Sequence, residues 1–177
     1  MSKAYNLSLA TMIKINLKNT LKNFIIVVIL FLVDRISKIY ILKIAELEGI
    51  VDMYITPYLN FYLIWNNGIA FGFLSFDQSM AYNIITIIIA AIILLVILMA
   101  YKANDYSVYF LLLILGGSLG NLFDRINYFA VPDFIDFHIN SFHWFIFNVA
   151  DIFISIGVIC LITVEILFNK RVKNEIK

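Results

Sequence analysis

The sequence predicts an all-α membrane protein of four transmembrane helices with a small extracytoplasmic β-sheet or loop element. Three observations carry this. Of 177 residues, 63% are apolar and only 14% charged, and the mean hydropathy is +0.94. Soluble domains sit near half apolar and one quarter charged, and a chain this short cannot bury so much apolar surface from water. The apolar residues gather in four stretches close to the roughly 20 residues needed to cross about 30 Å of hydrocarbon. The basic residues cluster on the connections that an even number of crossings would place on one side.

Taken in order, the first span is 24–44, apolar to Val33 and then carrying Asp34, Arg35 and Lys38. The second, 80–101, has no charge. The third, 107–123, is short and leads into Asp124 and Arg125. The fourth, 148–168, has Asp151 near its start and Glu165 near its end. All four are expected to be helical, because lipid cannot satisfy open backbone groups. The whole chain, 1–177, reads as a single membrane domain. Its segments 45–79 and 124–147 face outward. Nine of the 13 basic residues precede the first span, join spans two and three, or follow the fourth. Both termini are therefore expected in the cytoplasm. The charged first span, with no small-x-small cleavage site after it, reads as an uncleaved span and not a signal peptide.

The outer segment 45–79 is more than a loop. Tyr58 to Trp65 alternates weakly and is aromatic and β-branched, as a short strand would be. Asn67-Gly68 then signals a turn. A small sheet on the membrane surface is expected here.

Ionisable and amide groups at bilayer depth are expensive and mark function by default. Here they collect at the outward ends of spans one, three and four and in the outer segments: Asp34, Arg35, Lys38, Asn66, Asn121, Asp124, Arg125, Asp133, Asp136, Asn148 and Asp151. Asp34 and Lys38, four apart, have the favourable order for a helical ion pair and read first as a self-neutralising pair. Arg35 points elsewhere and is expected to snorkel to headgroups. Gly116 and Gly120 have the small-xxx-small spacing of close helix packing. Asn121, Asp124 and Arg125 share a face, and Asp124 or another nearby acid is the expected partner of Arg125. Asp133 and Asp136 have opposite parity in an extended strand, so at most one points into a given site; spacing leaves open which. Asn148 and Asp151 share a face at the start of span four. There Asp151 gains from the helix dipole, yet 13 uncharged residues follow it, so it lies close to hydrocarbon and needs partners or a task.

Several chemistries find no support. His138 and His143 are the only histidines, and the single Cys160 lies in an apolar run. Zinc spacing such as H-E-x-x-H, a nucleophilic-serine context around Ser118, a P-loop and a dinucleotide fingerprint are all missing. No metal, no cofactor and no nucleic-acid partner are expected. A carboxylate-rich outward pocket remains, which points to paired-acid chemistry or proton-coupled transport.

Five motifs in order resemble those of the lipoprotein signal peptidases, the type II signal peptidases of bacteria, which are membrane aspartyl proteases. Asp34-Arg35-Ile36-Ser37-Lys38 resembles D-x-x-T-K, with Ser37 keeping the hydroxyl of the usual Thr. Asn66 to Phe71 matches N-x-G-x-A-F, and Gly116 to Arg125 matches G-G-x-x-G-N-x-x-D-R. Val131 to Phe134 matches V-x-D-F, and Phe147 to Asp151 matches F-N-x-A-D. Each motif alone is weak; five in order over residues 24–168 are specific. The resemblance implies that Asp133 and Asp151 are the catalytic pair. It also implies that Asn66, Gly68, Asn121, Arg125 and Asn148 line the site, with Asp34, Lys38 and Asp124 supporting it. The implied substrate is a prolipoprotein whose Cys carries diacylglycerol, cut on the N-terminal side of that Cys. The implied setting is the bacterial cytoplasmic (inner) membrane, with the active site at its extracytoplasmic face and membrane lipid around a monomer. Asp136 and His143-Trp144-Phe145 fall outside these motifs. A transporter would place its acids near the midplane in repeated halves, and here they sit at one face with no repeat. A scaffold whose acids serve only packing is the remaining alternative.

Overall fold

A computed structural model describes residues 2–68, 78–103, 105–140 and 142–175, with side chains for 19–68, 80, 82–103, 105–140 and 142–167. Ile69, Ala70 and Phe71, the end of one motif, lie outside the described residues, as do the side chains of most of the terminal basic residues used for orientation.

Four helices and four strands alternate in blocks: α1 (Ser2–Glu48), β1 (Asp52–Thr56), β2 (Leu59–Asn66), α2 (Gln78–Lys102), α3 (Ser107–Tyr128), β3 (Val131–Ile139), β4 (Phe142–Phe147) and α4 (Val149–Glu175). Among the described residues, three helical stretches are long and apolar enough to cross a membrane: Tyr82–Lys102, Ser107–Tyr128 and Val149–Leu167. The apolar stretch of α1 carries Asp34, Arg35 and Lys38 and does not stand with those three.

Helix α3 is the hub. Leu30 and Asp34 of α1 lie against Gly116 and Gly120 of α3, and Lys38 reaches Asp124. Each step is four residues on both helices, so the two run parallel along matching faces. On the other side, Gly117 lies under Ala150 and Ile154, while Gly157 of α4 lies under Phe110 and Ile114; α3 and α4 are antiparallel. Small residues at these crossings let the backbones approach closely, as van der Waals packing in lipid requires. Val27, Ile93, Val96, Leu111, Leu112, Ile114 and Leu115 fill the space among α1, α2 and α3. The outward faces stay apolar and exposed, for instance Ile87, Leu94 and Ile159.

Past Phe123 the helix continues to Tyr128, so Asp124 and Arg125 are helical residues. It stops where Phe129 takes a left-handed conformation, φ 58°. A non-glycine residue there costs about 1–2 kcal/mol, and the sharp turn sends the chain into β3.

The strands before α2 and those after α3 form one antiparallel sheet in the order β1-β2-β3-β4. The strand expected at Tyr58–Trp65 is present as β2. Strands β1 and β4 carry no comparable signal in the sequence: β1 is short, and β4 (Phe142–Phe147) is mostly aromatic with no alternation to read. The sheet packs through Val51, Phe61, Leu63 and Phe134 against Ile41 and Ile44 of α1 and Val149 of α4. It therefore lies across the helix ends that carry the polar residues.

A Cβ at Gly117 would stand 2.5 Å from the backbone carbonyl oxygen of Ala150, which cannot rotate away. Gly117→Ala is expected to lower stability by about 1–3 kcal/mol, read as an earlier unfolding transition of the detergent-purified protein. An unchanged transition would refute this packing.

Candidate active site

The site is built on a buried ionic layer between α1 and α3. Lys38, with no exposed surface, donates to Asp34 at 3.0 Å, to Asp124 Oδ2 at 2.7 Å and to Asn121 Oδ1 at 2.8 Å. All three ammonium hydrogens are thus used. Arg35 pairs with Asp124 Oδ1 at 2.6 Å and with Asp34 Oδ2 at 3.2 Å, and its guanidinium lies over the Phe123 ring, 4.9 Å from the centroid. Two expectations are corrected here. Asp34 and Lys38 are more than a self-contained pair, because Lys38 ties α1 to two residues of α3. Arg35 is buried and does not reach for headgroups, because two carboxylates and an aromatic face hold it inward. Its role in the layer has no motif signal beyond its position between Asp34 and Lys38.

From this layer the contacts run to two further aspartates. Asn121, held by Lys38 through its oxygen, donates its amide hydrogen to Asp151 Oδ1 at 2.8 Å. Asp34 Oδ1 accepts the backbone N–H of Ala150 at 3.0 Å, one of the N–H groups that the first turn of α4 leaves without an intrahelical partner. Asn148 caps α4 and closes a reciprocal box with Asp151: Asp151 N–H donates to Asn148 Oδ1 at 3.2 Å, and Asn148 N–H donates to Asp151 Oδ2 at 3.0 Å. This is the geometry of a capping box, with Asp in place of Glu. The side-chain amide of Asn148 is thereby turned outward and donates to Asp133 Oδ1 at 2.6 Å. One residue, fully buried, holds both carboxylates.

Asp133 is held from its other side by Asn66, whose amide donates to Oδ2 at 2.8 Å. The sheet register explains this. Phe61 pairs with Ile135, but Ile64 pairs with Asp133, so β2 carries one extra residue between them. A one-residue slip moves side chains to the opposite face. The bulge thus puts Asn66 on the face of Asp133, as a diagonal neighbour. Burial pushes the Asp133 carboxyl up to about 6. The hydrogen bonds from Asn66 and Asn148 pull it down, the charge of Asp151 raises it, and Lys38 lowers it.

Gly68, at φ +74°, donates its N–H to Asn66 Oδ1 at 2.7 Å, and its open α-carbon faces the Arg125 guanidinium, where a Cβ would come within 2.9 Å of both terminal nitrogens. Arg125 does not pair with Asp124, whose carboxylate is taken by Arg35 and Lys38. Instead it lies over the Tyr82 ring at 5.8 Å, while the Tyr82 hydroxyl donates to the Arg125 carbonyl oxygen. Among the described residues, Nε and Nη1 of Arg125 are buried without a hydrogen-bond partner. Tyr82 belongs to none of the motifs; its only signal in the sequence is a phenol at the start of an otherwise apolar span. Asp136 faces the other way, toward His143, as strand parity requires.

The arrangement is two carboxylates clamped on one asparagine, each oriented by a further amide, with an arginine nearby whose Nε and Nη1 have no hydrogen-bond partner among the described residues. A family model for signal peptidase (SPase) II matches residues 26–168. The lipoprotein signal peptidase of Pelagibacter ubique (strain HTCC1062) is 58% identical over 162 residues, covering 92% of this chain and 98% of that protein. That of Anaplasma marginale (strain Florida) is 30% identical over 88% of this chain and 90% of its own length. A solved bacterial membrane enzyme, determined by the in meso method at 1.9 Å, superposes with a TM-score of 0.68 at 32% identity, over 82% of this chain and 92% of that one. A second, at 2.3 Å, gives 0.65 at 34% identity, over 84% and 89%. The chain belongs to the signal peptidase II family.

Removing one partner of a buried ion network leaves the others uncompensated. Lys38→Met is expected to cost about 3–5 kcal/mol, measured by denaturant unfolding in detergent. A loss no greater than that of a surface lysine would show that the layer is dispensable.

Proposed function

We propose, from that family membership, that this chain is an aspartic endopeptidase that removes the signal peptide from diacylglyceryl-modified prolipoproteins, cutting N-terminal to the lipidated Cys with Asp133 and Asp151 as its catalytic pair. The observation that carries the assignment is the bridging of both carboxylates by Asn148.

Two carboxylates bridged by one asparagine resist double ionisation and share a proton. The ionised member takes a proton from water, whose oxygen attacks the scissile carbonyl carbon. The protonated member gives its proton to the carbonyl oxygen. The resulting gem-diol collapses as the acid that gained the water proton delivers it to the departing amine, while the other, now ionised, takes a proton from one diol hydroxyl as the carbonyl reforms and so regains its starting state. The new N-terminus of the lipidated Cys and the carboxyl end of the signal peptide are the products. Asn66, Asn121 and Asn148 fix the two acids in place. The N–H groups of Arg125 that have no partner among the described residues hold peptide carbonyls and offset developing negative charge. Asp34, Lys38 and Asp124 act through Asn121 and the start of α4, and so position the pair.

In this reading the whole chain is one membrane domain, and α1 crosses the bilayer as a fourth span, its charges neutralised within the helix bundle. The basic connections lie in the cytoplasm with both termini. The sheet and the aspartates lie at the extracytoplasmic face of the inner membrane. A signal peptide is an apolar helix and diacylglycerol dissolves in lipid, so both reach the site laterally, and a monomer surrounded by lipid suffices.

Asp133→Asn and Asp151→Asn are each expected to abolish cleavage of a purified lipidated precursor while the protein still inserts and unfolds as the parent does. Turnover like that of the parent in either variant would remove the pair from the mechanism. The pH dependence has a defined sign. Raising pH above the value of about 6 for Asp133 strips the shared proton, so kcat/KM, which reports the free enzyme, falls by about tenfold per pH unit on the alkaline side. A kcat/KM that keeps rising through neutral pH would contradict the shared proton.

A further inference from the structure

The β3–β4 hairpin holds a second group of ionisable side chains that the proposed reaction leaves unused. Asp136 and His138 are two apart on β3 and so share a face. His143 comes from β4. Asp136 pairs with Ile146, yet His138 pairs with His143 and not with Trp144, so β4 carries one extra residue between these pairs. Bulges of this kind re-aim side chains, and this one puts His143 on the face of the other two.

The contacts are close. His143 Nδ1 lies 2.8 Å from Asp136 Oδ2 and 3.0 Å from Oδ1. The two imidazoles stack with centroids 5.0 Å apart and planes 24° apart. His138 is nine-tenths buried, and its Nδ1 points at Asp136 Oδ2 from 3.7 Å, with no hydrogen-bond partner among the described residues. A buried ring nitrogen left unpaired is costly. One donor atom from each residue falls within 4.8 Å of the others. A tetrahedral ion with bonds of about 2.0–2.2 Å sets its ligand atoms roughly 3.3–3.6 Å apart, and the observed 2.8 and 3.7 Å bracket that spacing.

We infer that Asp136, His138 and His143 form a binding site for one divalent transition-metal ion of the zinc class. Two imidazoles and one carboxylate suit zinc, copper(II), nickel or cobalt, whereas calcium and magnesium take oxygen ligands. The side chain of His143 is 56% exposed, which leaves an entry path and a fourth position for water. The ion joins β3 to β4 near their hairpin end. Asp136 is three positions along β3 from Asp133, about 10 Å, and on the other face, so the ion takes no part in peptide cleavage. It braces the strands that carry Asp133 and lead to Asn148. No metal spacing is visible along the chain because the three ligands meet only through strand pairing and a bulge. This inference stands whether or not the protease reading does.

The test uses the full chain, purified in detergent without a polyhistidine tag and stripped by a chelator. Zn2+ is titrated against a chromophoric competitor, and Co2+ is added for its visible absorption, which reports tetrahedral ligation. Expected are one ion per chain with submicromolar affinity, and a higher unfolding temperature on saturation. Exposed His143 can be replaced without disturbing the core; His143→Ala weakens binding roughly tenfold or more and abolishes the cobalt band, while Asp133→Asn leaves both unchanged. Failure of Zn2+ to bind, equal binding by the His143→Ala protein, or loss of binding in Asp133→Asn overturns the proposal.

Discussion

The charge of Lys38, buried between two helices, is the constraint on which the rest of the structure depends. An ammonium with no exposed surface is costly unless every hydrogen is used, and Asp34, Asp124 and Asn121 use all three. Because Asp34 and Lys38 are on α1 while Asn121 and Asp124 are on α3, meeting this requirement fixes the axial register of the two helices. The glycines complete it. A Cβ at Gly120 would collide with the Asp34 carboxylate, so the ion pair fits only because the facing position has no side chain.

That register sets up a relay of orientation. Asn121 is oriented by Lys38 and in turn orients Asp151. Asp34 accepts the N–H of Ala150 and anchors the first turn of α4. Asn148 then serves as helix cap and as clamp. Its backbone and side-chain oxygen complete the box with Asp151, which frees the amide hydrogens for Asp133. Asp133 is held from two sides by neutral amides, which fix its geometry. Burial raises its carboxyl to about 6, against the pull of those amides and of Lys38 toward the ionised form.

The sheet supplies the other half. Its four strands come from two segments separated by α2 and α3, and they meet over the polar ends of the helices. Two of its three register irregularities have consequences for side-chain placement. The extra residue in β2 turns Asn66 toward Asp133, and the extra residue in β4 turns His143 toward Asp136 and His138. Strand parity keeps these two groups on opposite faces of one strand.

The sequence by itself determined the membrane character, three apolar crossings, the β2 strand, the close approach at Gly116 and Gly120, and the gathering of polar residues at one level. These are local: they depend on composition, spacing and helical period, which are written along the chain. Spacing does not separate Asp133 from Asp136 without the motif, and it points to the wrong surroundings for Arg35 and Arg125. The reason is that partner choice among buried charges is a competition. Asp124 is adjacent to Arg125, yet its carboxylate is claimed by Arg35 and Lys38 from another helix, and no spacing rule reveals that outcome. Only the tertiary structure decided these pairings, the two bulges and the meeting of His138 with His143, because each depends on which strand or helix lies alongside and on a one-residue offset that flips a side chain from one face to the other.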